Sequence, residues 1–142
     1  MGARKHNSAE LLKEAKKSIS YAKLNNCPTS PRKMRLVADL IKGRDVEQAL
    51  SMLKFTEKEA AERMRKLLLS AIANWQAKNE GERMEDAHLF IREVSVDGGR
   101  MVRRIRPAPQ GRAFRIRKRS NHVTMILDMR KQTDVVETTT AE

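Results

Sequence analysis

A chain of 142 residues, 39% hydrophobic and 34% charged, suits one domain with a modest core and excludes a large enzyme. Thirty Lys and Arg against eighteen Asp and Glu leave a formal charge of +12 and a pI near 10.3, the balance of a protein that meets a polyanion. No apolar run reaches the ~18 residues of a membrane span, Met1-Gly2-Ala3-Arg4-Lys5-His6 leads into no apolar signal core, and the lone Cys27 excludes an internal disulfide, so a cytoplasmic protein is expected.

Residues 1–7 are basic and aperiodic, and Ser8 is a candidate cap for a short helix carrying Leu11, Leu12, Ala15 and Ile19, so residues 1–17 read as an N-terminal extension. From Ser18 to Asn26 the residues Ile19, Tyr21 and Lys23 alternate with Ser20, Ala22 and Leu24, which is compatible with a strand that Asn25-Asn26-Cys27-Pro28 ends. Ser30-Pro31 opens a helix through Met34, Leu36, Val37, Leu40 and Ile41 that stops at Gly43. Arg32, Lys33 and Arg35 crowd its first turn, where the helix dipole prefers carboxylates. An external anion would compensate them; ordinary surface charge explains them equally well. Asp45 caps a short helix with Val46, Ala49, Leu50 and Leu53 on one face, and Thr56-x-x-Glu59 reads as a capping box opening a long one. The stripe Ala60, Met64, Leu67, Leu68, Ala71, Ile72 and Trp75 makes this the core helix, with Trp75 read as core rather than as a base-stacking platform.

Asn79 to Met84 reads as a polar loop, and Ala87 to Val96 as a strand with Phe90, Val94 and Val96 on one face and Glu93 and Ser95 on the other. Between Asp97 and Asp128 lie nine Arg or Lys residues and no carboxylate. The stretch starts with a turn signal, Asp97-Gly98-Gly99, runs through Arg100, Arg103, Arg104 and Arg106 to Pro107-Ala108-Pro109-Gln110-Gly111, and returns through Arg112, Arg115, Arg117, Lys118 and Arg119. Phe114 and Ile116 alternate with Arg115, Arg117 and Arg119, as in an extended strand. Two such legs form a long hairpin over 97–119, able to reach roughly 30 Å at about 3.3 Å per residue. Two strands alone are marginal in water, so an anionic partner must order them; guanidinium forks suit phosphates, and nucleic acid is the leading inference over a merely solvated face. Val123, Met125 and Leu127 then alternate with Thr124, Ile126 and Asp128 in a strand that pairs with the first, and residues 129–142 read as a mobile tail.

His6, His88, His122 and Cys27 show no zinc spacing, so no metal is expected. There is no P-loop or nucleotide fingerprint and no nucleophile paired with a base; neither a cofactor nor catalysis is expected.

Several blocks together resemble a known family. Ser30-Pro31-Arg32-Lys33-Met34-Arg35-Leu36-Val37-Ala38-Asp39-Leu40-Ile41-Lys42-Gly43, Ser70-Ala71-Ile72-Ala73-Asn74, Arg103-Arg104-Ile105-Arg106-Pro107, Gly111-Arg112-Ala113 and Lys118-Arg119-Ser120-Asn121-His122-Val123-Thr124 resemble the bacterial large-subunit ribosomal protein twenty-two family over about residues 18–128. The resemblance implies an α+β fold, a small antiparallel three-stranded sheet packed on three helices with a long protruding basic β-hairpin, within a single globular domain over 18–128. It implies a non-enzymatic protein of the ribosome that binds large-subunit ribosomal RNA, bridges RNA domains during assembly and meets neighbouring ribosomal proteins. The hairpin tip would line the peptide exit tunnel and face the nascent polypeptide, near the site of macrolide antibiotics. Carried over by position, that tip is Val102, Arg103, Arg104, Ile105, Arg106, Pro107, Ala108, Pro109 and Gln110. Family members commonly carry basic residues just after the proline, and here Ala108-Pro109-Gln110 is neutral. The RNA-binding set is Arg32, Lys33, Arg35, Arg100, Arg103, Arg104, Arg106, Arg112, Arg115, Arg117, Lys118 and Arg119, and no homo-oligomer is expected. The alternative is an architectural DNA-binding protein whose basic β-ribbon arm wraps a duplex, Ile105-Pro107 supplying a wedge; a membrane-surface role lacks an amphipathic membrane helix.

Overall fold

The computed structural model describes residues 3–79 and 87–130. Its elements run α1 (Ala3–Ser18), β1 (Ser20–Cys27), α2 (Pro31–Ile41), α3 (Val46–Phe55), α4 (Glu59–Gln76), β2 (Leu89–Pro107) and β3 (Ala113–Met129). The three strands form one antiparallel sheet in the order β1-β3-β2, with α2, α3 and α4 packed on it as the resemblance implies.

Two periodicities meet in the core. The helices present Met34, Val37 and Ile41, then Ala49 and Leu53, then Met64, Leu68, Ala71, Ile72 and Trp75; β3 answers with Val123, Met125 and Leu127, all buried. The alternation read along β3 is therefore the observed one, with Thr124, Ile126 and Asp128 on the other side.

Several local readings are corrected by competing bonds. The first helix starts at Ala3, upstream of Ser8, so residues 3–7 are helical. Thr56 closes α3 instead of opening α4: its hydroxyl donates to the Met52 carbonyl at 2.7 Å, and Lys58 is the residue before α4, with no side-chain cap. The hydroxyl is thereby withdrawn from the capping box that Thr56 and Glu59 spell. Ser30 and Asp45 stand at the starts of α2 and α3 without side-chain cap bonds; the Asp45 carboxylate lies 3.6 Å from Arg130 instead.

On β2 the buried residues are Leu89, Ile91 and Val96, not Phe90. Ile91 faces Leu127 while Glu93 faces Ile126, so Arg92 is an extra residue, a β-bulge that switches the inward parity from odd to even positions. Asp97-Gly98-Gly99 makes no turn: β2 continues through it as extended chain with a second bulge between Gly98 and Met101. Met129, expected to lie in the tail, belongs to β3 and pairs with Leu89. The expected polar loop falls mostly on residues 80–86 and the expected tail on 131–142, both outside the described residues.

The outer edge of β2 is covered by the chain that follows α2. Gly43 N–H donates to the Ile91 carbonyl, Ile91 N–H donates to the Arg44 carbonyl, each at 2.9 Å, and Asp45 bridges Phe90. Further along, the Arg35 guanidinium donates to the Val96 carbonyl through Nη2 at 3.0 Å and Nε at 3.3 Å. An exposed strand edge is a template for unwanted pairing, and these bonds occupy it at Phe90–Ile91 and at Val96.

Candidate nucleic-acid interface

The hairpin root is built around β3. Every extra residue in the sheet sits on a neighbour: Arg92 and one of Gly99-Arg100 on β2, and one in the Leu24–Cys27 stretch of β1. β3 itself runs without a bulge. At the root both neighbours bulge at one height, and β3 side chains satisfy the freed backbone groups. Asn26, at φ +54°, donates its N–H to His122 Nδ1 at 3.1 Å, and the Ser120 hydroxyl donates to the Arg100 carbonyl. Asn121 is fully buried between them and donates through Nδ2 to the Thr29 carbonyl (2.7 Å) and hydroxyl (2.8 Å), tying β3 to the β1–α2 loop. Gly99 fits because it has no side chain: a Cβ there would lie 2.6 Å from Ser120 Oγ and 3.1 Å from His122 Nε2.

Beyond the root β2 and β3 pair with each other to the tip. Met101 faces Arg119, Val102 Lys118, Arg103 Arg117, Arg104 Ile116, Ile105 Arg115, and Arg106 Phe114. Residues paired across an antiparallel ladder share a face. One face of the arm thus carries Arg103, Arg115, Arg117 and Arg119 with Met101 and Ile105; the other carries Arg104, Arg106 and Lys118 with Val102, Phe114 and Ile116. The sequence suggests an apolar side and a basic side for the return leg, but the outgoing leg places Arg opposite each apolar residue, so both faces are mixed. Ile105 is 74% exposed and Phe114 65%, values that leave the arm no core of its own.

The tip closes through Ala108 N–H to the Arg112 carbonyl at 2.9 Å and Arg112 N–H to the Pro109 carbonyl at 3.4 Å. Gln110 and Gly111 between them have φ of +61° and +71°, the φ pattern of a type I′ turn, whose twist matches that of the flanking strands.

Every cation of the expected set is exposed. Arg32 and Lys33 stand in the first turn of α2, which has no acidic residue, while Arg35 is engaged with Val96. Among the described residues no ion pair involves an arm cation: the pairs are His6–Glu10 on α1, Arg63–Glu59 and Lys66–Glu62 on α4, Arg92–Asp128 on the sheet and Arg130–Asp45. Arg103 and Arg117 face each other directly, a like-charge pair that destabilises a free ribbon. The arm therefore presents cationic groups along two faces, most of them guanidinium forks of the kind that suit phosphates. Reading the sequence missed Arg35 as the link to the hairpin root and Gly99 as a packing glycine; the Gly98-Gly99 doublet signals both a turn and a bulge.

Among the described residues no group of His, Cys, Asp and Glu is placed to hold a metal, and no helix is long and apolar enough to cross a membrane.

Comparison with known proteins agrees with this architecture. The family described as ribosomal protein L22p/L17e matches residues 22–128. A large ribosomal subunit protein uL22 of Christiangramia forsetii is 65% identical over 133 residues, covering 94% of this chain and 98% of the relative. Proteins of the same name from Flavobacterium psychrophilum and Bacteroides fragilis are 61% and 59% identical, over 96% and 94% of this chain and 99% and 98% of their own. The matched span covers nearly all of the sheet, α2 to α4 and the whole basic arm, and the chain belongs to the ribosomal protein L22p/L17e family, whose members are structural and not enzymatic.

Proposed function

We propose that this chain is a structural component of the large ribosomal subunit in the cytoplasm, where its arm and the first turn of α2 bind ribosomal RNA. Arg100, Arg103, Arg104, Arg106, Arg112, Arg115, Arg117, Lys118 and Arg119, with Arg32, Lys33 and Arg35, neutralise phosphates of RNA segments distant in sequence and bridge several RNA domains during assembly. Neighbouring ribosomal proteins meet the globular body, and the tip from Val102 to Gln110 lines the nascent-peptide exit tunnel. One observation carries the reading: a two-stranded arm with no core of its own holds nine cations that no carboxylate among the described residues neutralises. A polyanion supplies both missing terms, charge and order, and releases counterions as it binds. RNA is engaged through shape and backbone, since its deep groove admits no ribbon.

The test is sedimentation of a lysate carrying the tagged chain, with a high-salt wash. Quantitative retention in the large subunit is expected, with cross-links from Arg103 to Gln110 reaching RNA; recovery with chromosomal DNA would favour an architectural DNA-binding arm. The triple substitution Arg112→Gln, Arg115→Gln, Arg117→Gln is expected to weaken RNA binding and lower the salt slope by roughly 2–3, at about 0.7–0.9 for each phosphate no longer neutralised. An unchanged slope would remove these residues from the interface.

A further inference from the structure

The body carries a second surface of nucleic-acid character. In β3 the odd-numbered residues from Asn121 to Leu127 are buried, and the even-numbered His122, Thr124 and Ile126 are partly open on the opposite face. Because β3 has no bulge, this open face continues without a break into the arm as Lys118, Ile116 and Phe114. β1 extends it sideways with Tyr21 opposite Ile126 and Lys23 opposite Thr124.

Tyr21 is 43% exposed and held from several directions. Asn74 Nδ2 donates to its backbone carbonyl at 3.0 Å. The Lys23 ammonium lies 5.4 Å from the ring centroid and that of Lys78 6.0 Å. Lys78 is itself fixed, donating to the Ile19 carbonyl at 2.6 Å and the Lys17 carbonyl at 3.0 Å, which leaves one of its three donors free. The acidic groups of this face lie toward β2: Asp128 is paired with Arg92 at 3.1 Å, Glu93 stands across from Ile126, and Asp97 across from His122. The β1 half thus holds an aromatic ring with two cations near it, in line with a basic ribbon. A solitary surface tyrosine commonly has no partner; a lysine-flanked one on an open sheet face, continuous with a run of arginines, has the composition of a single-strand stacking platform.

We propose that the open sheet face seats a single-stranded RNA segment, one unpaired base stacking on Tyr21 while the flanking phosphates meet Lys23 and Lys78. The proposal rests on the RNA-binding reading above and adds a site in the body to those in the arm. Tyr21 holds the base by its face and tolerates any sequence; Lys23 and Lys78 fix the direction in which the strand leaves toward the arm.

Tyr21 is the only tyrosine in the chain, so its ring resonances report on this site alone. The experiment is an NMR titration of the full chain with oligoadenylate of about ten nucleotides, a length within the range such platforms bind, paired with affinity measurements on variants. The Tyr21 ring protons are expected to move upfield. Tyr21→Phe is expected to bind as the parent does, and Tyr21→Ala about five-fold or more weakly with the salt slope unchanged, because stacking is removed while the phosphates stay neutralised. Lys23→Gln is expected to lower the slope. Stationary Tyr21 resonances while the methyls of Ile105 and Ile116 shift would overturn the platform and leave the RNA-binding arm standing. If neither set moves, both readings fall.

Discussion

Single residues at the root decide how the arm leaves the body. Gly99 lies against Ser120 and His122, and a methyl group there would displace the hydroxyl that bonds the Arg100 carbonyl. Gly99→Ala is therefore expected to destabilise the fold by about 1–3 kcal/mol, read as a lower urea midpoint; a variant as stable as the parent would mean that the Ser120 side chain rotates away without penalty. On α4 the hydrogen bond from Lys66 holds the Glu62 carboxyl below the usual carboxylate range, with the charges of Lys66, Arg65 and Arg63 adding to it. A carboxyl whose pKa is depressed on folding contributes stability above its unfolded value and loses it as pH falls through the folded one. Lys66→Gln is expected to return Glu62 upward, as followed by carboxyl chemical shifts during an acid titration, and an unmoved titration would assign the shift to the arginines. Both side chains are solvent-exposed, so little change in overall stability is expected.

At the scale of elements, the arm sacrifices its own stability to its charge. Arg103 opposite Arg117 is the sharpest instance. Arg117→Glu turns repulsion into a cross-strand attraction, so backbone amides between Val102 and Lys118 are expected to gain hydrogen-exchange protection in the free protein while RNA affinity falls. Protection and affinity rising together would contradict this opposition between arm stability and RNA binding. These elements differ in how far the sequence discloses them. β3 is legible because its alternation is unbroken, as are α2 and α4, whose apolar stripes repeat at three and four. The side of β2 that faces the core is not legible: one inserted residue, Arg92, inverts its parity, and nothing in the composition of Ile91-Arg92-Glu93 marks it. The Thr56-x-x-Glu59 signature misleads because a threonine hydroxyl also bonds the carbonyl four residues back, and here that bond is made. The density of arginine between Arg100 and Arg119 discloses the candidate interface, but its two-faced distribution depends on register, which pairs residues from legs far apart in the chain.

For the whole molecule, body and arm are separable. The core is closed by α2 to α4, β1 and the near halves of β2 and β3, and none of its buried residues lies between Arg100 and Ser120. Replacing residues 101–119 with a short glycine linker is expected to leave Trp75 buried and unfolding cooperative while removing most RNA affinity, as judged by tryptophan emission and filter binding. Loss of the cooperative transition would show that the arm contributes to folding of the body. The two strands of the arm are mechanically unlike. β3 is a 17-residue strand without interruption, anchored at mid-length by Asn121, while its partner β2 carries an extra residue at Gly99-Arg100. Any difference in length between the two legs is therefore taken up on β2, and β3 alone joins the tip at Pro107–Arg112 without interruption to the central strand of the sheet, beneath the helices.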